Sequence, residues 1–162
     1  MNTIELKNIL KNNKYTKPYF QNILAYDQIN HIQLKKKKNY SYIINSSPAS
    51  SEGVHWLCIF GNSYLCNIFD PLGLSITKYY KKLYTKLQTL TKKIVYRSVR
   101  IQSLTSDSCG HFCCIYLFLR GHKFTHSQIL NSFFEKNNTQ YNENLIYLFL
   151  NGLETKMRKT IY

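Results

Sequence analysis

The sequence predicts an α+β fold, and three observations lead there. Strand-like runs at 40–45, 54–60, 64–69 and 94–101 are mixed along the chain with helix-periodic segments at 3–12, 76–90 and 109–120. Two of those runs are joined by Gly61-Asn62, a hairpin signal. A polar loop ending in Ser108-Cys109-Gly110 passes directly into an apolar run. That change puts Cys109 on the first turn of a buried helix, where backbone N–H groups are unpaired and the dipole is positive. Such a position stabilises a thiolate.

In order along the chain, residues 3–12 offer a Thr3 cap and apolar positions 4, 6, 9 and 10, one face of a short helix that Pro18 and a polar cluster end. Tyr19-Phe20 anchors a loop to the core, and residues 27–34 fit no single element. The Lys35–Lys38 run reads as a solvated loop, because four adjacent ammonium groups repel. Residues 40–45, rich in Tyr and Ile, form a short strand, and 46–53 a loop. The nearly continuous apolar run 54–60 fits a strand covered on both faces, and 64–69 is its hairpin partner, closed by Asp70-Pro71-Leu72-Gly73. That hairpin brings Asp70 beside His55. Apolar positions 76, 79, 80, 83, 84, 87 and 90 make one amphipathic helix, with Lys78, Lys81, Lys82 and Lys86 in the gaps. A strand at 94–101 leads into Gln102 and then the Cys109 helix; helices at 127–134 and 144–150 and a basic tail at 154–162 complete the chain.

With 162 residues the chain is expected to be one domain, 1–162, able to bury about 70% of its unfolded surface. No run reaches the ~18 apolar residues of a membrane span and none has the pattern of a signal peptide, so a soluble, non-secreted protein without membrane contact is expected. Five cysteines, with Cys113 and Cys114 adjacent, favour reduced thiols over a disulfide framework. The net charge is +14, carried by residues 1–40 and 76–100 and absent from the stretch around His55 and Asp70. Clustered Lys beside Tyr is the footprint of contact with a phosphate backbone, and Lys78, Lys81, Lys82 and Lys86 are the candidate DNA contacts. An A/T-rich coding sequence would also enrich Lys over Arg.

Taken singly, His55 fits a core histidine, Asp70 a turn residue and Cys109 a small buried hydrophobe. Together they are a thiol nucleophile, its base and the carboxylate that orients the base. Gln102, seven residues before Cys109, sits on a loop able to return its amide N–H to join the Cys109 backbone N–H as an oxyanion hole.

Gly53-Val54-His55-Trp56, Phe69-Asp70-Pro71-Leu72-Gly73, Gln102 and Ser108-Cys109-Gly110-His111-Phe112-Cys113-Cys114 closely resemble the adenovirus-type endopeptidases (adenain-like), including those of virophages and Polinton-like elements. Glu5-Leu6-Lys7, Pro18-Tyr19-Phe20, Tyr26-Asp27 and the 43–46 segment extend the resemblance over about residues 3–120. It implies an adenain/Ulp-like cysteine protease fold, with a central mixed or antiparallel sheet flanked by helices. It assigns Cys109 as nucleophile, His55 as general base, Asp70 as orienter and Gln102 as oxyanion donor, with no cofactor required for the chemistry. The implied substrates are capsid precursor polypeptides, cut at small, Gly-containing sites during virion maturation by a monomeric enzyme in the virion and infected cell, in the nucleus or a cytoplasmic factory. Trp56 is expected either to shield the site from water or to serve as a plain core aromatic.

Two departures from the family matter. Asp70 stands where adenain has Glu, and either carboxylate can fix an imidazole tautomer. Residues 85–101 lack the cysteine through which adenain bonds an activating viral peptide, so a peptide activator would bind non-covalently. DNA stays compatible with the basic helix, where any regulator is expected to act by setting how the hairpin meets the Cys109 helix. Alternatives are a protease that deconjugates ubiquitin-like modifiers after Gly-Gly, a basic nucleic-acid-binding virion protein without catalysis, and a zinc module built on Cys109, Cys113, His122 and His126. The eight-residue gap between Cys113 and His122 is short for a zinc finger.

Overall fold

The computed structural model describes residues 3–51 and 53–159. Five strands, β1 (Phe20–Leu24), β2 (Tyr40–Asn45), β3 (Trp56–Gly61), β4 (Leu65–Phe69) and β5 (Lys93–Tyr96), form one sheet in sequential order. β1 runs parallel to β2 and β4 parallel to β5, while β2–β3 and β3–β4 are antiparallel, so the sheet is mixed. Helices cover both faces: α1 (Thr3–Asn12), α2 (Ile76–Tyr79), α3 (Lys81–Leu90), α4 (Cys109–Gly121), α5 (His126–Gln128) and α6 (Thr139–Lys159).

Successive residues of a strand face opposite ways, which is why the middle strands are mostly apolar, with Ser41 and Asn67 as buried polar exceptions. Ile43, Cys58, Phe60 and Phe69 pack with Leu6, Leu10, Phe112, Cys113 and Tyr116, the side of α1 and α4. Ile44, Leu57, Ile59, Cys66 and Ile68 pack with Ile29, Ile76, Leu83 and Leu87, the side of α2 and α3. Each such buried aliphatic contributes roughly 1.5–3 kcal/mol. Phe69 lies flat on Tyr116, ring centroids 4.3 Å apart, and this stack fixes the middle of α4 over the end of β4.

The structure corrects several sequence expectations. Phe20 begins a strand, β1, which its polar Gln21 and Asn22 concealed; it is an edge strand with only its ends fully buried. Residues 26–31 form a 3₁₀ helix (Tyr26–His31), the crossover between parallel β1 and β2. β3 starts two residues later than predicted: Val54 is 83% exposed, and His55 is buried ahead of the strand. The Gly61 turn is tight because a Cβ there would lie 2.2 Å from the Leu65 carbonyl. Asn62 then closes the turn, accepting the N–H groups of Tyr64 and Leu65. The basic segment 76–90 is two helices broken at Tyr80 (φ −129°, ψ 34°), whose side chain is buried. β5 ends at Tyr96, earlier than the predicted 101, because the chain beyond it pairs with the loop after β4: Ile101 and Gln102 both donate to the Pro71 carbonyl at 3.0 Å. The 127–134 helix is a short α5 under a Thr125 cap running into a π-helical turn, Ile129–Phe133. α6 exceeds the expected 144–150 at both ends and takes in most of the predicted tail; 160–162 lie outside the described residues.

Candidate active site

His55 immediately precedes β3 and Asp70 immediately follows β4. Cys58 of β3 pairs with Phe69 of β4, so both residues lie at one end of the sheet. His55 Nε2 meets Asp70 Oδ1 at 2.7 Å, and both side chains are buried. The Asp70 carboxylate is itself held by the turn that follows it: Leu72 N–H donates to Oδ1 at 2.9 Å and Leu74 N–H to Oδ2 at 3.1 Å. Pro71 and Gly73 make that turn, and Gly73 takes φ +64° with the Val99–Arg100 backbone within 3 Å of where a Cβ would stand.

Cys109 opens α4 near enough to the same imidazole for its sulfur to raise the pKa of the ring. Since Asp70 occupies Nε2, Nδ1 is left for the thiol. Burial lowers the His55 pKa, but the Asp70 bond, the Cys109 sulfur and the two negative charges outweigh it and raise the imidazole to about 9. The protonated ring is therefore the form this pocket favours at neutral pH. The other thiols lie deeper in the protein. Burial pushes Cys66 up to about 12 and raises Cys113 and Cys114 strongly, which keeps them as inert thiols.

Gln102 is buried against the same region. Its backbone N–H is bonded to Pro71, its Nε2 donates to the Ser106 carbonyl at 2.8 Å, and its Oε1 has no protein partner. The side chain therefore spans from the loop after Asp70 to the loop that enters α4. Trp56 covers the start of the helix. A Cβ on Gly110 would fall 2.3 and 2.5 Å from its six-membered ring, so only glycine lets the indole lie on the first turn.

The zinc arrangement is not assembled. His122 stacks on Tyr15, centroids 3.6 Å apart, and His126 Nδ1 bonds the Tyr116 hydroxyl at 2.9 Å, both away from Cys109. Among the described residues no grouping of three metal-ligating side chains occurs. No described helix is long and apolar enough to cross a membrane. Lys78, Lys81, Lys82 and Lys86 do come together, lining with Tyr26 and Tyr79 a groove of about 760 Å³ on the α2–α3 side of the sheet.

The adenovirus endoprotease family model matches residues 22–146. This chain belongs to the adenovirus endoprotease family. It is 34% identical over 98 residues to the protease of bovine adenovirus 7, covering 52% of this chain and 48% of that one. With the protease of ovine adenovirus D serotype 7 (isolate OAV287) it shares 29% over 152 residues, 78% of this chain and 75% of the relative. With that of human adenovirus A serotype 12 it shares 26% over 149 residues, 72% and 70%. The chain thus spans between about half and three quarters of the length of these relatives. Among solved structures, the ASFV pS273R protease superposes with a TM-score of 0.55 at 14% identity, covering 89% of this chain and 65% of that one. That likeness shows the shared α+β fold.

Some residues around the candidate site had no signal in the sequence. The Leu72 and Leu74 amides that hold Asp70 belong to apolar residues, and only the Pro-Leu-Gly turn hinted at them. Ser106, Ser108 and Glu143 join in one hydrogen-bonded cluster beside Cys109. Glu143 is 34 residues beyond Cys109 in a segment that carried no motif.

Proposed function

We propose that this chain is a viral cysteine endopeptidase that cleaves virion precursor polypeptides, with Cys109 as nucleophile, His55 as base and then acid, Asp70 as orienter and Gln102 in the oxyanion hole. The observation that carries the reading is the 2.7 Å His55–Asp70 contact with the Cys109 thiol beside the same ring, at the open end of a helix. His55 already holds the proton given up by Cys109, and the sulfur adds to the scissile carbonyl carbon. The negative oxygen is met by the Cys109 N–H and by the Gln102 N–H not engaged with Ser106. The imidazolium then protonates the leaving amine as the C–N bond breaks, which leaves a thioester. Water, deprotonated by His55, hydrolyses it and frees the sulfur. Small residues at the cut site suit a nucleophile that is only 8% exposed.

The test is to incubate the protein with candidate capsid precursors, with and without DNA, and map the new termini. New termini beside small, Gly-containing sequences are expected, and Cys109→Ala should abolish them with an unchanged circular dichroism spectrum. Iodoacetamide should label Cys109 ahead of Cys58 and Cys66; equal labelling of native and denatured Cys109 would sink the assignment. Efficient hydrolysis of a ubiquitin-like Gly-Gly conjugate with no cleavage of precursors would favour the deconjugating reading instead.

The lysine groove supports DNA as an activator. It lies on the sheet face away from α4, so the link to the site would pass through Tyr80 at the α2–α3 break, which is close enough to Asp70 to feel its charge. A non-covalent peptide activator fits the absence of cysteine from 85–101.

A further inference from the structure

The turn after β4 holds Asp70 through two amides, and the second belongs to a peptide group with little resistance to rotation. Leu74 N–H donates to Asp70 Oδ2 at 3.1 Å, and the other end of that same planar unit is the Gly73 carbonyl. Gly73 has no Cβ and stands at φ +64°, so the unit can turn over at small cost and carry its N–H away from the carboxylate. Two hydroxyls oppose that rotation. Ser98 donates to the Gly73 carbonyl, and Tyr96 donates to the Leu74 carbonyl of the next unit. Tyr96 is itself fixed at the end of β5, where it pairs with Ile68 of β4. Burial and the Asp70 charge both push its hydroxyl up, so it stays a protonated donor. A series of hydrogen bonds thus runs from Ser98 through the Gly73–Leu74 peptide to Asp70 Oδ2, and from Asp70 Oδ1 to His55 Nε2 at 2.7 Å. Bonds in such a series polarise one another.

We propose that Ser98 and Tyr96 are positioning residues: by pinning the carbonyls on either side of the Leu74 Cα they keep the Leu74 N–H on Asp70 Oδ2 and hold the carboxylate in the orientation that meets His55. The inference rests on the cysteine protease reading above. Neither side chain is in the set that touches the reacting atoms. Ser98 is exposed, and water can replace its hydroxyl as a donor, but a water molecule follows the carbonyl wherever it turns and does not fix the peptide plane. With the unit free, the carboxylate rotates about Cβ–Cγ and Oδ1 leaves the line of the imidazole N–H. The imidazolium then loses part of its stabilisation.

Ser98→Ala and Tyr96→Phe each remove one hydroxyl and keep the rest of the side chain. NMR titration of the His55 ring proton, assigned through its loss in His55→Ala, reads the hold of the carboxylate without any need for catalysis. From about 9 in wild type, the midpoint should fall in each variant by about half a unit to one unit, the worth of one ordinary hydrogen bond. Asp70 and Cys109 are the charged groups that act on this ring, and neither is altered. On a fluorogenic peptide with Gly-Gly before the leaving group, kcat should fall about three- to tenfold with little change in KM. Ser98→Thr, which keeps the hydroxyl, should remain close to wild type in both readouts. An unmoved His55 midpoint in Ser98→Ala and Tyr96→Phe, with or without a fall in kcat, would show that the hydroxyls merely hold a loop and would overturn the proposal. A loss in Ser98→Thr equal to that in Ser98→Ala would overturn it too. A wild-type protein whose His55 titrates near 9 but which cuts no peptide or precursor would overturn the protease reading instead, and the hydrogen-bond assignment would still be decided by the titration.

Discussion

His55 is held charged by its partners rather than by exposure, and this has a sign that can be measured. Its folded pKa, about 9, lies above the ordinary 6.5. The stabilisation is therefore complete below pH 6.5 and is lost as pH rises through 9, at on the order of 1 kcal/mol per pH unit. Urea midpoints for wild type should fall between pH 6.5 and 9.5 more steeply than those of Asp70→Asn, where the imidazole loses its main partner. Parallel slopes would show that His55 is not the titrating group. The same substitution should reduce hydrolysis by 10²-fold or more, because the proton taken from Cys109 no longer has a stabilised resting place. At this scale the sequence was informative about placement: the hairpin put Asp70 beside His55, and the change from polar loop to apolar run put Cys109 at a helix start. Gln102 was identifiable as a residue, but its bond to Ser106 was not, since a side-chain amide has several partners open to it until the loop is fixed.

Among the elements, α4 matters most, and its start depends on close approach. Gly110 allows the Trp56 ring onto the first turn, and Cys113, one turn later, donates to the Trp56 carbonyl at 3.5 Å. Gly110→Ala gains the helix preference of alanine, under 1 kcal/mol, but drives a methyl into the indole. A net destabilisation of about 1–3 kcal/mol is expected from denaturant titration, with a shift in Trp56 fluorescence, the chain's only tryptophan. An unchanged or raised midpoint would mean that the ring moves freely aside. The sequence pattern found α1 and the body of α4 because their apolar spacing is regular. It ran α2 and α3 together because Tyr79 and Tyr80 both fit the helical stripe, whereas burial of Tyr80 beside Asp70 decides that the helix breaks there.

Over the whole molecule, charge is divided between the two faces of the sheet. The four lysines of the α2–α3 groove lie opposite the layer that contains α4, so removing them should leave the chemistry intact. Replacing Lys78, Lys81, Lys82 and Lys86 with Gln is expected to weaken DNA binding uniformly across sequences. Every ammonium group that pairs with a phosphate should, on removal, reduce the slope of log K against log salt by about 0.9, read by fluorescence anisotropy. An unchanged slope would place DNA binding elsewhere on the surface. Cleavage without DNA should be unaffected, and its dependence on DNA should weaken.

The sequence by itself determined the α+β class, the hairpin that joins His55 to Asp70, and the cysteine at a helix start, because these follow from apolar period and local turn chemistry over a few residues. The tertiary structure decided the rest. Only packing could add β1 to the sheet, break the basic helix at Tyr80, put the lysines on the face away from Cys109, and bring Glu143 of α6 to the cap of α4. Those interactions join segments far apart in the chain, whose pairing is set by how both faces of one sheet are covered and leaves no periodic trace in either segment alone.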